Sequence, residues 1–256
     1  MNFKLLNRIV VGFLITGGIL AMFELISFWS IAGAILGYLV FLLIVSTNVQ
    51  FNFFVNAFNR NPEGSGKKVA ITFDDGPVEN TLEILKILDK YNVKASFFCI
   101  GKNIEENPEI FKSIIQKGHF VGNHSYSHTR KMGFLSTAKI VEEIQKCDEI
   151  AFSVGGVKLN SFRPPFGVIN PRTKRALEIT GHKVFGWNVR SYDAVLNSKR
   201  YILNRILKKI KPGDVILLHD SKPQTADILE QLLLFLQTNQ YTTLRVDNLF
   251  QIDAYN

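Results

Sequence analysis

The sequence predicts an α/β fold: a distorted (β/α) barrel of six to seven parallel strands, preceded by an N-terminal transmembrane helical hairpin. Three observations carry this reading. Short apolar runs alternate with helical patterns, the rhythm of parallel strands joined by right-handed crossovers. Polar residues capable of chemistry gather at the ends of the apolar runs. From Ile9 to Thr47 the only charged side chain is Glu24. An open doubly wound sheet is the alternative arrangement of the same elements.

The hairpin comes first in the chain. Spans near Ile9–Phe23 and Phe28–Ser46 approach the roughly 20 apolar residues that cross a bilayer, so residues 1–58 read as a membrane anchor with residues 9–47 against lipid. Lys4 and Arg8 ahead of an apolar run also resemble the start of a cleaved signal peptide. No small-residue cleavage site follows, however, and a second apolar run does, so an integral membrane protein is expected. A buried helix of a soluble domain seldom runs this long without a polar face. Lys4 and Arg8 precede the hairpin, Arg60, Lys67 and Lys68 follow it, and no basic residue lies between. The positive-inside tendency then places both ends of the chain in the cytoplasm.

Residues 59–68, "NRNPEGSGKK", are polar and carry Gly, Pro and Ser, as a linker does. The domain over 69–256 opens on "VAITF" and continues through the strand-like runs "ASFFCIG", "HFVGNH", "SFRPP", "HKVFGW" and "DVILLHD". Between them lie helical patterns, among them long ones near 136–152, 198–210 and 225–237. The chain has 30 Lys plus Arg against 22 Asp plus Glu, and setting aside Lys4, Arg8 and Glu24 leaves 28 and 21 for the domain. That surplus suits a surface near anionic lipid or an acidic polymer. The basic residues form no stripe, so no nucleic acid partner is expected. Cys99 and Cys147 lack CxxC spacing and read as core residues.

The residues at the strand ends change the odds. "ITFDDGP" places two carboxylates, Asp74 and Asp75, side by side, and a turn accounts for them in isolation. Yet His124 ends the third strand, Arg163 the fourth and His219 the sixth, while Asn188 and Arg190 follow the fifth. In a parallel barrel these ends converge on one face, where active sites are built. "HSYSH" puts His124 and His128 four apart, a spacing that brings two imidazoles to one metal if the segment forms a helical turn. Two His and one Asp leave coordination positions open, as catalytic metal sites require. One Asp then ligates and its neighbour stays free as a base.

"TFDDGP", "HSYSH", "RPPFG" and "LLHD", in this order, resemble the motifs of the polysaccharide deacetylases, the NodB-homology group of the carbohydrate esterases (family four). The resemblance covers about residues 68–245. It implies a metal-dependent hydrolase that removes N-acetyl groups from amino sugars of a glycan or lipid-linked saccharide, with one divalent metal, commonly zinc. It also implies an envelope glycan on the outer side of the membrane, which needs a single span or an atypical orientation, against the cytoplasmic side that the basic residues favour, so both sides stay open. Carried over position by position, Asp75, His124 and His128 hold the metal, Asp74 is the general base and His219 the general acid. Arg163 orients Asp74, the Phe166 backbone N–H serves the oxyanion, and Pro165 and Leu217 belong to the substrate pocket.

Three features depart from the family pattern. Phe166 stands where Tyr is usual, and Arg190 stands where many members have the Asp associated with tuning the catalytic histidine. Either Asp193 or Asp220 takes over that task, or Arg190 points into the cleft to bind an acidic group of the substrate. Ala194, after Asp193, replaces a usual Trp. A hydrolase of another non-peptide C–N bond, such as a formamide, and an inactive glycan-binding or membrane-assembly module are the alternative functions. His119 and His182 open strands and are assigned no role.

Overall fold

In the computed structural model, residues 3–63 and 66–255 are described. Strand β2 (Lys68–Asp74) organises the sheet. Its side chains alternate between two faces, as strand geometry demands. Val69, Ile71 and Phe73 enter one core cluster, with Leu85 and Leu88 of α3 (Glu79–Lys90) and Leu229 and Leu232 of α9 (Gln224–Thr238). Ala70 enters the second cluster from the inner face of the sheet, with Phe98, Phe120, Phe185 and Leu217. Both faces are buried, which is why the strand reads as a continuous apolar run.

Around β2 the strands are β1 (Ala57–Phe58), β3 (Ser96–Cys99), β4 (Phe120–Asn123), β5 (Ser161–Phe162), β6 (Lys183–Phe185), β7 (Val189–Arg190), β8 (Val215–His219) and β9 (Thr242–Leu244). Their order is β1-β6-β5-β4-β3-β2-β8-β7, with β9 beside the first half of β2, and every pairing between these strands is parallel. No pairing joins β1 to β7 among the described residues, so the barrel is a curled, open one. It has nine short strands where the sequence predicts six or seven.

Helices cover the outside of the curl. They are α4 (Gly101–Glu106), α5 (Pro108–Gln116), α6 (Thr137–Gly155), α7 (Pro171–Thr180), α8 (Lys199–Leu207), α9 and the short α10 (Val246–Phe250). Their ends follow local chemistry. Ser136 caps α6 by accepting from the Lys139 N–H, and Gly156, at φ 69°, closes it in the left-handed conformation that glycine adopts without penalty.

Two apolar helices, α1 (Phe3–Met22) and α2 (Phe28–Ser46), precede the sheet. The stretches Leu5–Met22 and Phe28–Ser46 are long and apolar enough to cross a membrane and are almost wholly uncovered by protein. The end of α2, by contrast, is built into the domain. Val45 and Val49 are buried with Phe54 and Ala57 in the second core cluster, and the Ile169 N–H donates to the Ser46 carbonyl at 2.8 Å.

The expected linker is therefore not a free one. Within 1–58, β1 pairs with β6. Within 59–68, Arg60 meets Asp214 at 2.8 Å, the Asn61 N–H donates to the Gly213 carbonyl, and Lys68 begins β2. Arg60 and Asn61 thus bond to the sheet's neighbours, while Pro62, Glu63, Gly66 and Lys67 are exposed; Gly64 and Ser65 lie outside the described residues.

Candidate active site

The alternation that sends Phe73 outward sends Thr72 and Asp74 into the curl, and β8 places His219 directly opposite Asp74 in the register. Asp75 then takes φ 79°, a left-handed backbone uncommon outside glycine. This turn separates the adjacent carboxylates: Asp74 faces Arg163, and Asp75 faces the two histidines. Gly76 has to be glycine on grounds of space, because a Cβ there would lie 2.0 Å from Oδ2 of Asp220.

Asp75 Oδ1 lies 3.7 Å from Nε2 of His124 and 3.5 Å from Nε2 of His128. The three ligand atoms fall within 4.8 Å of one another. Nδ1 of His124 sits 2.8 Å from the Arg163 carbonyl; a carbonyl only accepts, so Nδ1 carries the proton and Nε2 turns its lone pair toward Asp75. Burial, then the neighbouring His128, lowers His124 to about 3, which keeps it neutral as a ligand must be. Two imidazoles and a carboxylate, one imidazole oriented by a backbone carbonyl, fit a divalent cation of zinc's preferences.

The HSYSH segment is a loop, not the helical turn that its spacing permits. Ser125 at φ 64° and His128 at φ 47° bend it. The His128 N–H donates to Ser125 Oγ at 3.0 Å, while the Ser127 N–H and hydroxyl both donate to Glu143 of α6, at 2.8 and 2.7 Å. The imidazoles converge because this loop is clamped from both sides.

Arg163 is fully buried, and its charge is matched rather than stranded. Nη1 donates to Asp74 Oδ1 and to Thr72 Oγ1, both at 2.7 Å, and Nη2 donates to the Gly186 carbonyl at 2.8 Å. The guanidinium lies 4.0 Å from the centre of the Phe98 ring. Asp74 Oδ1 is thereby occupied, and Oδ2 is left toward the histidines, 3.8 Å from His124 Nε2.

His219 pairs with Asp193, of the two carboxylates the sequence leaves open. Its Nδ1 is 2.7 Å from Asp193 Oδ1, and its N–H donates to Oδ2 at 2.8 Å. The hydroxyls of Ser191 and Thr225 donate to the same carboxylate at 2.6 and 2.8 Å. Burial opposes the charge on His219, but the Asp193 hydrogen bond and the charges of Asp193, Asp74 and Asp75 prevail and raise its pKa. Burial also works against Asp193, and its bond to His219 holds it below the ordinary carboxylate value. Asp220 turns the other way: burial pushes it to about 7, and Thr81 donates to its Oδ2.

The remaining expected residues divide. Phe166 adopts φ 60° with its ring 4.7 Å from that of His128. The amides of Gly167 and Val168 are taken by the Pro164 and Pro165 carbonyls, which fixes this turn beside the histidines. Pro165 is buried beneath it. Arg190 is half-buried, its guanidinium 4.8 Å from the Tyr192 ring centre, and Arg205 approaches the same ring at 4.3 Å. Leu217 is buried in the second core cluster, on the face of β8 that also carries His219. Asp75, Ser125, His128, Phe166 and Tyr192 all have positive φ, and such non-glycine backbones gather at functional sites.

Thr72, Glu143, Ser191 and Thr225 support the site and went unread in the sequence. Thr72 carries a usable signal, standing two residues before Asp74 and hence on the same face of the strand. Ser191 carries one too, standing two residues before the Asp193 it serves, whereas Glu143 and Thr225 act across 16 and 32 residues and carry no local signal.

Comparison with known proteins places this arrangement. Residues 61–185 match the family model for polysaccharide deacetylase. A peptidoglycan-N-acetylglucosamine deacetylase of Bacillus cereus is 34% identical over 190 residues, 72% of this chain and 68% of that protein. The peptidoglycan-N-acetylglucosamine deacetylase PgdA of Listeria monocytogenes is 31% identical over 187 residues, and the match spans only 39% of its length. The crystal structure of the Bc1960 peptidoglycan N-acetylglucosamine deacetylase superposes with a TM-score of 0.72 at 33% identity, covering 77% of this chain and 94% of that one. The chain belongs to the polysaccharide deacetylase family.

Proposed function

We propose that the protein is a metal-dependent N-deacetylase acting on an N-acetylated amino sugar of a glycan or lipid-linked saccharide, held at the membrane by α1 and α2. The observation that carries this is one donor set, Asp75, His124 and His128, flanked by an Asp74–Arg163 pair and a His219–Asp193 pair. Relatives named as peptidoglycan deacetylases support the substrate class.

Asp75, His124 and His128 would hold the cation, and zinc suits them. When bound, it supplies Lewis acidity where the acetamide oxygen and the attacking water meet. Asp74, kept ionised and oriented by Arg163, removes a proton from that water as its oxygen bonds to the acetyl carbon. The Phe166 N–H donates to the oxyanion that develops on the former carbonyl oxygen. His219, steered by Asp193 at Nδ1, presents Nε2 to the nitrogen. Its proton passes there as the C–N bond breaks, releasing acetate and a free amine. Arg190, beside Tyr192, binds an anionic group of the substrate.

Acetate release from N-acetylglucosamine oligomers and peptidoglycan fragments by the full-length protein tests the reading. Asp74→Asn should keep its metal and lose about 10² to 10⁴ in turnover. Near-normal turnover would reduce Asp74 to a turn residue.

A further inference from the structure

Helix α2 forms one wall of a groove that runs to the candidate active site. Leu42 and Leu43 of α2 face Phe134, Val168 and Phe166 of the catalytic domain across a cavity of about 570 Å³. This falls within the range of about 300 to 1,000 Å³ usual for ligand sites. Phe166 in its lining is the residue whose ring lies 4.7 Å from that of His128. Leu42, also in the lining, is one helical turn, about 6 Å, inside the end of α2. Arg130 stands on the edge of the groove, exposed, with no hydrogen bond or ion pair to any described residue. Phe134 is 83% exposed on the same edge.

We propose that this groove takes the hydrocarbon chain of a lipid-linked saccharide, with Arg130 on the phosphate that joins chain to sugar, so that the substrate reaches Asp74 and His128 from the bilayer. The occupant follows from what builds the groove. One wall is an apolar helix long enough to span, and the opening therefore lies where acyl or polyprenyl chains end and headgroups begin. The site cannot be raised from that level. Ser46 is hydrogen-bonded to Ile169, and Val45 and Val49 are buried in the domain core, so nothing between helix and sheet can extend. A guanidinium without a protein partner at the boundary between an apolar groove and a polar site complements a phosphodiester or pyrophosphate. A lipid carrier also removes the conflict between the basic residues that place the domain in the cytoplasm and a polymer outside it, because carriers load their sugar on either leaflet.

For the fate of the sugar this inference rests on the deacetylase reading; for the groove it does not. The test uses full-length protein in nanodiscs of phosphatidylethanolamine and phosphatidylglycerol. Two substrates are compared, a polyprenyl-phosphate-linked N-acetylglucosamine and a water-soluble N-acetylglucosamine tetramer. Phe134→Glu and Arg130→Ala alter exposed side chains, so folding is not at issue. Each should lower kcat/KM for the lipid-linked substrate at least about tenfold, Phe134→Glu by withdrawing the equivalent of about two methylenes from apolar surroundings and Arg130→Ala by removing a charge-assisted bond to phosphate, and leave the tetramer unaffected. Equal loss on both substrates, or no loss on the lipid-linked one, overturns the proposal. A diazirine-bearing polyprenyl phosphate gives an independent readout. Adducts on Leu43 or Phe134 in a protein that turns over neither substrate would keep the groove and discard the deacetylase; turnover without adducts in the groove would do the reverse.

Discussion

Replacing Asp193 by Asn keeps a shape and removes a charge at the point where four donors meet. His219 Nδ1 and Ser191 Oγ approach one carboxylate oxygen, and the His219 N–H and Thr225 Oγ approach the other. An amide has one accepting oxygen, so whichever way it turns, its NH₂ meets one hydroxyl, which can rotate to accept, and one nitrogen of His219 that had donated to the carboxylate. One charge-assisted bond is lost, and stability should fall by about 1.5–3 kcal/mol. The pH behaviour is more telling. Asp193 is held below its ordinary 3.8 and His219 above its ordinary 6.5. Their pairing therefore stabilises fully between those values, and the gain disappears as pH falls through the folded value of Asp193 or rises through that of His219. Asp193→Asn should flatten this profile in thermal unfolding. It should also move the alkaline limb of kcat to lower pH, since burial, no longer opposed by the carboxylate, disfavours imidazolium, and kcat should drop about 10² to 10⁴. Ser191→Ala, which keeps the carboxylate, should leave the limb in place. An alkaline limb unmoved in Asp193→Asn would show that His219 is not the proton donor.

Three further outcomes are expected. Full-length protein should carry one divalent metal per chain by plasma emission spectrometry, and His128→Ala should lose most of it; equal stoichiometry would dissolve the donor set. Gly76→Ala drives a methyl group into the Asp220 carboxylate and should cost about 1–3 kcal/mol, seen as a lowered Tm, whereas an unchanged Tm would mean that the turn is free to relax. Asp253→Cys, an exposed position in a chain whose own cysteines are buried, should resist an impermeant maleimide in intact cells if basic residues set the orientation. Labelling would put the domain outside.

Much of the site was legible because its residues sit where a strand ends. Asp74, His124, Arg163 and His219 each follow a buried apolar run, and in a parallel sheet the ends of such runs lie together. The long helices were legible too: Ser136 and Ser198 cap α6 and α8 as their sequences suggest. The strands β1, β7 and β9 were not. Two or three residues carry no periodicity, and only their partners β6, β8 and β2 define them. Asp193 could not be separated from Asp220 by spacing, because φ 65° at Tyr192 decides which way the loop after β7 delivers its carboxylate. The role of residues 59–61 was hidden for a related reason. Their polar side chains satisfy distant backbone groups, as Asn61 does the Leu249 carbonyl at 2.7 Å, and in sequence such residues look like solvated linker.

The way α2 enters the sheet bears on how the protein can be cut. A fragment beginning at residue 69 would discard Ala57 and Phe58, leaving β6 as a bare parallel edge with Val184 and Phe185 on it. It would also strip Val49 and Phe54 from the inner core and sever Arg60 from Asp214, a carboxylate only 1% exposed. Unpaired strand edges and opened apolar cores are what chains aggregate through. A truncation that keeps residue 48 onward removes both apolar helices while sparing the edge strand, Val49 and Phe54, and it opens the interior only where Val45 and the Ser46–Ile169 hydrogen bond are lost.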